Sequence, residues 1–410
     1  MNAPDAVVLD LSPNGLAIAR NLGRRGLRVL ALDRARNVWR SRTRYAVCRS
    51  CPDPAVAPAA FIDFLVGLAR SWPTRPVLYL AADDYVECVS RYRQRLAPYY
   101  RYLLPDPALV EALLDKRQTQ ALMSRYGFPL PRSWTAGLGF GERPLPPDLT
   151  FPCLLKPARS YRFRRRLDRK AIIVRNEAEL RSVFGRIQSL GPLLIQELIP
   201  GGDDCIYQVG FLLDPAGRLL GRFGGRKLLQ YPRRFGSGAL AVSESDTEAL
   251  TLATRMVTAL GLVGLCNVEL KRDARDGSLK LMEIDPRLWL WHDLGRRAGV
   301  DLAYGYYRLL AGQPLAPMLH QQDGIKWVHE LRAPVSAWAA WTSGERRLAR
   351  VLGDFRRIGC TALFCWDDPL PFFRHGLAML RERAQTRIRT GITSARLRQP
   401  AARRPKGPTL

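Results

Sequence analysis

Asn267, Glu269, Glu283 and Asp285 fall in two short runs of alternating character, Cys266–Lys271 and Ser278–Asp285, on either side of Arg272-Asp273-Ala274-Arg275-Asp276-Gly277. Two such runs around a turn-forming segment predict a β-hairpin. A turn centred on Asp276 sets Glu269 opposite Glu283 and Asn267 opposite Asp285. All four then share a face, because side chains two apart on a strand point the same way. Like charges opposed across a ladder repel, so this face calls for something positive between them. Oxygen-only donors at this density suit Mg²⁺ or Mn²⁺, which take one or two carboxylates and fill their other positions with water and substrate phosphates. The alternative is an ordinary hairpin with a solvated acidic face.

Phosphate-binding groups would have to come from elsewhere in the chain. Phe151-Pro152-Cys153-Leu154-Leu155-Lys156-Pro157 ends an apolar strand on a lysine. A lysine so flanked must pair with an acid or reach a phosphate, since an isolated buried ammonium is costly. Further upstream, Ala6–Leu11, a helical Leu16–Arg25 and Arg28–Asp33 read as a βαβ opening of a doubly wound sheet. The intervening loop lacks G-x-G-x-x-G, which weighs against a nicotinamide site despite Asp33 at the end of the second strand. Ala59–Arg70 reads as helix, Val77–Ala82 as strand and Asp83 to about Arg95 as helix. Pro105–Leu114 and Lys116–Tyr126 are two short helices, the second closed by Gly127. Asn176 with Glu179, and Ser245 with Glu248, have capping-box spacing at the starts of later helices.

Glu269-Leu270-Lys271 followed by Met282-Glu283-Ile284-Asp285-Pro286-Arg287 resembles the closing motif of the ATP-grasp superfamily, in its carboxylate-amine ligase branch. The start Asp115-Lys116, the strand ending in Lys156-Pro157 and the hinge Leu193–Gly201 are similar to that family's motifs in order and spacing. The resemblance implies an α/β chain with a Rossmann-like pre-ATP-grasp domain (1–110) and an ATP-grasp domain of two α+β subdomains clasping nucleotide (111–315). The resemblance ends near residue 315; from their own residues, 316–372, with tryptophans in apolar clusters, read as a Trp-rich appended unit and 373–410 as a basic helix with a disordered tail. The resemblance implies Lys116 and Lys156 on the phosphates, Glu197, Leu198 and Ile199 at the adenine edge, and Asp203 or, preferred, Asp204 on the ribose. It further implies Arg226 and Lys227 as transition-state cations, Arg287 on a phosphate or carboxylate, and Glu269, Glu283 and Asp285 holding Mg²⁺ or Mn²⁺. The implied reaction is ATP-dependent activation of a carboxylate as an acyl phosphate, then attack by an amine. Two departures stand out: Asp285 occupies a position where the family most often has Asn, and residues 158–170 are rich in arginine and free of glycine.

Composition bounds the rest. The 410 residues are 47% hydrophobic and 25% charged, enough for two or three domains with substantial cores. A net charge of +27 favours anionic partners, although an Arg-rich base composition contributes. Eight scattered cysteines, mostly in apolar runs, and only four histidines argue against a disulfide framework or a His-rich metal site. No leader-like or membrane-spanning apolar run occurs, so a cytoplasmic protein is expected. Expected partners are a small-molecule carboxylate and an amine; a homodimer is compatible with the sequence, the basic tail suits an anionic membrane surface, and nucleic acid is disfavoured. A non-catalytic nucleotide-binding protein with that tail as its anchor is the alternative reading.

Overall fold

The computed structural model describes residues 3–136, 144–159 and 170–382. Three sheets carry the architecture. The first holds β1 (Ala6–Leu9), β2 (Val29–Asp33), β3 (Val47–Ser50) and β4 (Val77–Leu80), all parallel in the order β3-β2-β1-β4. Three of these strands are near-continuous apolar runs, as a sheet covered on both faces requires. Phe61, Ile62 and Leu65 of the helix Pro58–Ala69 pack with Tyr85 on one side. The helix Pro13–Gly23, with proline in its first turn, lies on the other.

The second sheet is antiparallel, in the order β5-β8-β6-β7: β5 (Ser133–Ala136), β6 (Cys153–Pro157), β7 (Ile172–Val174) and β8 (Leu193–Glu197). Its covering helix, Glu177–Ile187, starts as its sequence indicates. Asn176 Oδ1 accepts from the Glu179 amide at 2.9 Å, and the Glu179 carboxylate accepts from the Arg175 amide at 2.8 Å.

The third sheet has seven strands in the order β13-β12-β9-β10-β11-β14-β15. They are β9 (Ile206–Leu213), β10 (Leu219–Tyr231), β11 (Ser237–Ser243), β12 (Gly264–Arg272), β13 (Leu279–Asp285), β14 (Lys326–Val328) and β15 (Ile358–Thr361). Residues 316–372 therefore do not stand apart as an appended unit: they contribute β14 and β15 to the sheet that carries the acids. The helix Thr247–Ala259 covers one face. Its first turn is capped by Asp246, whose carboxylate accepts from the Ala249 amide at 2.8 Å, and not by Ser245, which bonds Asp323 instead. Under that helix lie Val209, Phe211, Cys266, Val268, Leu270 and Ile284. The alternate residues of the same strands, Gln208, Gly210, Asn267, Glu269, Glu283 and Asp285, are thereby forced onto the opposite face. The tail beyond 382, and most of the Arg-rich segment 158–170, lie outside the described residues.

Candidate active site

The hairpin forms in the expected register: Asn267 pairs with Asp285, Val268 with Ile284 and Glu269 with Glu283. A bulge follows at once, so that Leu270 meets Leu281 and Met282 is the extra residue. Gln208 of β9 extends the row, opposite Glu269. Each acid is met by its own cation. Glu283 accepts from Lys116 Nζ at 2.5 Å, and Glu269 accepts from Lys227 Nζ at 2.7 Å and from Gln208 Nε2 at 3.0 Å. Asp285 lies 3.6 Å from Arg287, whose Nε donates to Asp83 at 2.5 Å. Among the described residues, no three acidic, His or Cys side chains converge closely enough to hold a metal.

The electrostatics reflect this crowding. Burial would raise the Glu283 carboxyl, but the charges of Lys116 and Lys170 outweigh it and hold the group far below the usual range. Its neighbour Asp285 moves the other way, raised by burial and by the Glu283 charge against the pull of Arg287. The donor set still fits a hard divalent cation. Its atoms are oxygens, and both side-chain polar atoms of the fully buried Asn267 lack a hydrogen-bond partner beside Asp285.

Two lysines reach this row from the neighbouring sheet and its lead-in helix. Lys116 opens the helix Lys116–Arg125, capped by Asp115. Lys156, on β6, donates to Gln196 Oε1 at 2.6 Å. Burial, with the Lys116 charge adding to it, pushes the Lys156 ammonium down to about 7. Lys116, Lys156 and Lys170 line a cavity of about 80 Å³ together with Leu198, Ile199 and Glu283.

A larger cleft of about 1050 Å³ runs from this point to the carboxyl ends of the first sheet, lined by Lys227, Glu269, Glu283, Asp285 and Arg287 on one side. Trp289 and Trp291 form its floor. They sit against Gly210 and Gly225, where an added Cβ would lie 2.0 Å and 2.7 Å from the indoles. The opposite wall, which sequence reasoning missed, carries Asp10, Asn14, Arg34, Asp53 and Asp84. Arg34 pairs with Asp53 and Asp84. Asp10 is a non-glycine residue at φ 80°, buried, with a hydroxyl partner in Ser12 and no ion pair among the described residues. Asn14 donates to the carbonyls of Ala81 and Leu288 at 2.9 Å each, joining this wall to the segment after Arg287 and leaving its Oδ1 unpartnered. The usable signal was positional: ligands of open α/β sheets bind beyond the carboxyl ends of the strands.

A family model, the ATP-binding domain of the carbamoyl-phosphate synthase L chain, matches residues 239–318. The biotin carboxylase domain of Hydrogenobacter thermophilus 2-oxoglutarate carboxylase, solved with MgADP, ADP and bicarbonate, superposes with a TM-score of 0.60 at 18% identity, over 79% of this chain and 73% of that one. The chain has the ATP-grasp fold. An L-amino acid ligase from Bacillus licheniformis gives a TM-score of 0.58 at 14% identity, over 77% of this chain and 76% of that one. In sequence, a D-aspartate ligase of Enterococcus faecium (strain Aus0004) is 28% identical over 246 residues, 55% of this chain and 58% of that protein. The chain spans about half the length of the curated relatives it matches.

Within the ATP-grasp frame, Lys116, Lys156, Leu198, Ile199, Lys227, Glu269, Glu283, Asp285 and Arg287 all line the two connected cavities. Three expected site residues do not. Arg226 points to the opposite face from Lys227, as strand neighbours must, and donates to Glu244 at 2.8 Å. Glu197 is buried between Arg275 Nη2, at 2.5 Å, and the Arg132 amide, at 3.1 Å, and so secures the hinge from behind. Asp204 turns outward to Arg350 at 2.8 Å, while Asp203 is held by Gln230. His292 lines neither cavity: Nδ1 donates to the Trp289 carbonyl at 2.9 Å, and burial lowers its pKa, keeping it neutral.

Proposed function

We propose that this chain is an ATP-dependent ligase that activates a carboxylate as an acyl phosphate for attack by an amine, releasing ADP and phosphate. The reading rests on one observation: Lys116, from the helix beside the acidic hairpin, and Lys156, from the second sheet, share one cavity with Glu269 and Glu283. Lysines on one side and opposed carboxylates on the other suit a triphosphate with its divalent ion. Glu269, Glu283 and Asp285, each now held by its own cation, would have to close on one another to hold that Mg²⁺ or Mn²⁺, which supplies charge neutralisation on the phosphate oxygens.

Lys116, now paired with Glu283, and Lys156, now bonded to Gln196, would supply the ammonium groups that hold the phosphates. Leu198 and Ile199 provide an apolar rest for the base. Arg287 and Lys227, at the start of the large cleft, stabilise the charge that develops on the carboxylate and the transferred phosphoryl group. Trp289 and Trp291 keep water from that end. The far wall, with Asp10 and Asn14 Oδ1 as acceptors, suits a substrate bearing N–H groups.

The D-aspartate ligase similarity supports a search among amino acids first. ADP release is measured over pairs of carboxylates and amines with MgATP, and Glu283→Gln serves as control. ADP formation that needs both substrates, and is lost in the variant, is the expected result. No turnover with any pair, alongside intact nucleotide binding, would point to a non-catalytic role.

A further inference from the structure

The helix spanning residues 370–382 has two faces of different character. Inward lie Pro371, His375 and Ala378, the histidine within 2.8 Å of the Ser41 hydroxyl. Arg374 and Arg381 stack over Trp39, and Arg40 pairs with Glu382, so this side is fastened to the first domain. Outward stand Leu370, Phe373, Leu377 and Leu380, at 44%, 62%, 42% and 62% exposure, and just before them Trp366, at 90%. The spacing of these four residues sets them in one narrow stripe of the helix. Nothing among the described residues covers it. Four large apolar side chains in one stripe, with an exposed indole just before it in the chain, mark an interaction surface, not chance exposure.

The sequence after this helix indicates what the surface meets. Residues 383–410 carry eight Arg or Lys and no Asp or Glu. No described helix is long and apolar enough to cross a membrane. An apolar stripe followed in sequence by a purely basic segment has the composition that suits the headgroup region of an anionic bilayer: apolar side chains enter the acyl boundary and basic groups are drawn to the lipid phosphates.

We propose that helix 370–382 docks this protein on an anionic lipid surface, with Trp366, Phe373, Leu377 and Leu380 as the inserted groups and the basic composition of the sequence after it selecting the negative charge. The first domain's contacts with Arg374, Arg381 and Glu382 then keep the helix fixed relative to the catalytic cleft, so the enzyme works at the membrane face. This does not depend on the ligase reading, because binding is scored apart from turnover.

The test is co-sedimentation of the full chain with phosphatidylcholine vesicles, with and without about 30 mol% phosphatidylglycerol. Capture by the anionic vesicles alone, weakened at high salt, is expected. The triple variant Phe373→Ser, Leu377→Ser and Leu380→Ser should bind at least about 10-fold more weakly, with the thermal midpoint and nucleotide affinity unchanged. Replacing Arg396, Arg398, Arg403 and Arg404 by Gln should remove most of the salt dependence. Equal capture of the triple variant and the parent would overturn the proposal, as would failure to bind either vesicle. So would a self-association in sedimentation that the triple variant abolishes, or salt-sensitive binding to duplex RNA without binding to vesicles.

Discussion

Glu283 is the acid on which most of the site's charge balance turns. It faces Lys116 at 2.5 Å and Glu269 across the ladder, with Asp285 two residues on. Glu283→Gln should lower MgATP-dependent ADP release by about 100-fold or more, because the metal loses a charged ligand while the fold keeps its shape. Steady-state kinetics alongside a melting curve will separate those effects. Lys156 makes a second prediction. In the free protein burial sets its ammonium at about 7, against an ordinary value of 10.5. A lysine depressed in the fold binds its proton less well than in the unfolded chain, so the cost of charging it is full below about 7 and disappears as pH rises toward 10.5. Stability should therefore increase across that window through this group, and Lys156→Met should remove the increase. A triphosphate reverses the balance by favouring the charged form. Nucleotide binding at pH 8 should then take up a proton, seen as a dependence of calorimetric heat on buffer ionisation, and Lys156→Met should abolish that uptake.

At the scale of elements, the opposition of Glu269 to Glu283 was legible because alternation along β12 and β13 allows only one apolar face, and Val268, Leu270 and Ile284 had to occupy it. The bulge at Met282 was not legible, since it belongs to the packing of the ladder and leaves no local signal. Lys227 and Arg226 were indistinguishable by type, and only their placement on β10 decides which one faces Glu269. Glu197 misled for another reason: its partner Arg275 lies 78 residues away, on the turn of the acidic hairpin, so an acid placed for adenine serves as a strut. The aromatic floor makes the prediction at this scale. Gly210 leaves room for Trp289, and a Cβ there would lie 2.0 Å from the indole. Gly210→Ala should cost roughly 1–3 kcal/mol by denaturant unfolding, and should raise KM for the carboxylate as the floor of the cleft shifts.

Over the whole molecule, a cleft of about 1050 Å³ lies between the first and third sheets, and a cavity of only about 80 Å³ between the second and third. Small-molecule sites usually need roughly 300–1,000 Å³, so nucleotide entry requires the four-stranded antiparallel sheet to move away from the acidic hairpin. Hydrogen exchange in β6 and β8 should fall on nucleotide binding, and Lys156→Met, which removes the cation that β6 turns toward the acids, should blunt that fall. The architecture itself was readable from the βαβ opening and the motif order. The wall of Asp10, Asn14 and Arg34 was not, because it arises only where the first sheet meets the segment after Arg287.

The central claim is that opposed carboxylates on one sheet, with Lys116 from a helix and Lys156 from a second sheet, form a metal-nucleotide site. Isothermal titration of the full chain with ATP, with and without Mg²⁺, tests it most directly. Saturable binding that strengthens at least about 10-fold with Mg²⁺ in the parent, and loses that gain in Glu283→Gln, is the result expected. Binding that ignores both Mg²⁺ and the substitution, or no binding at all, would contradict it.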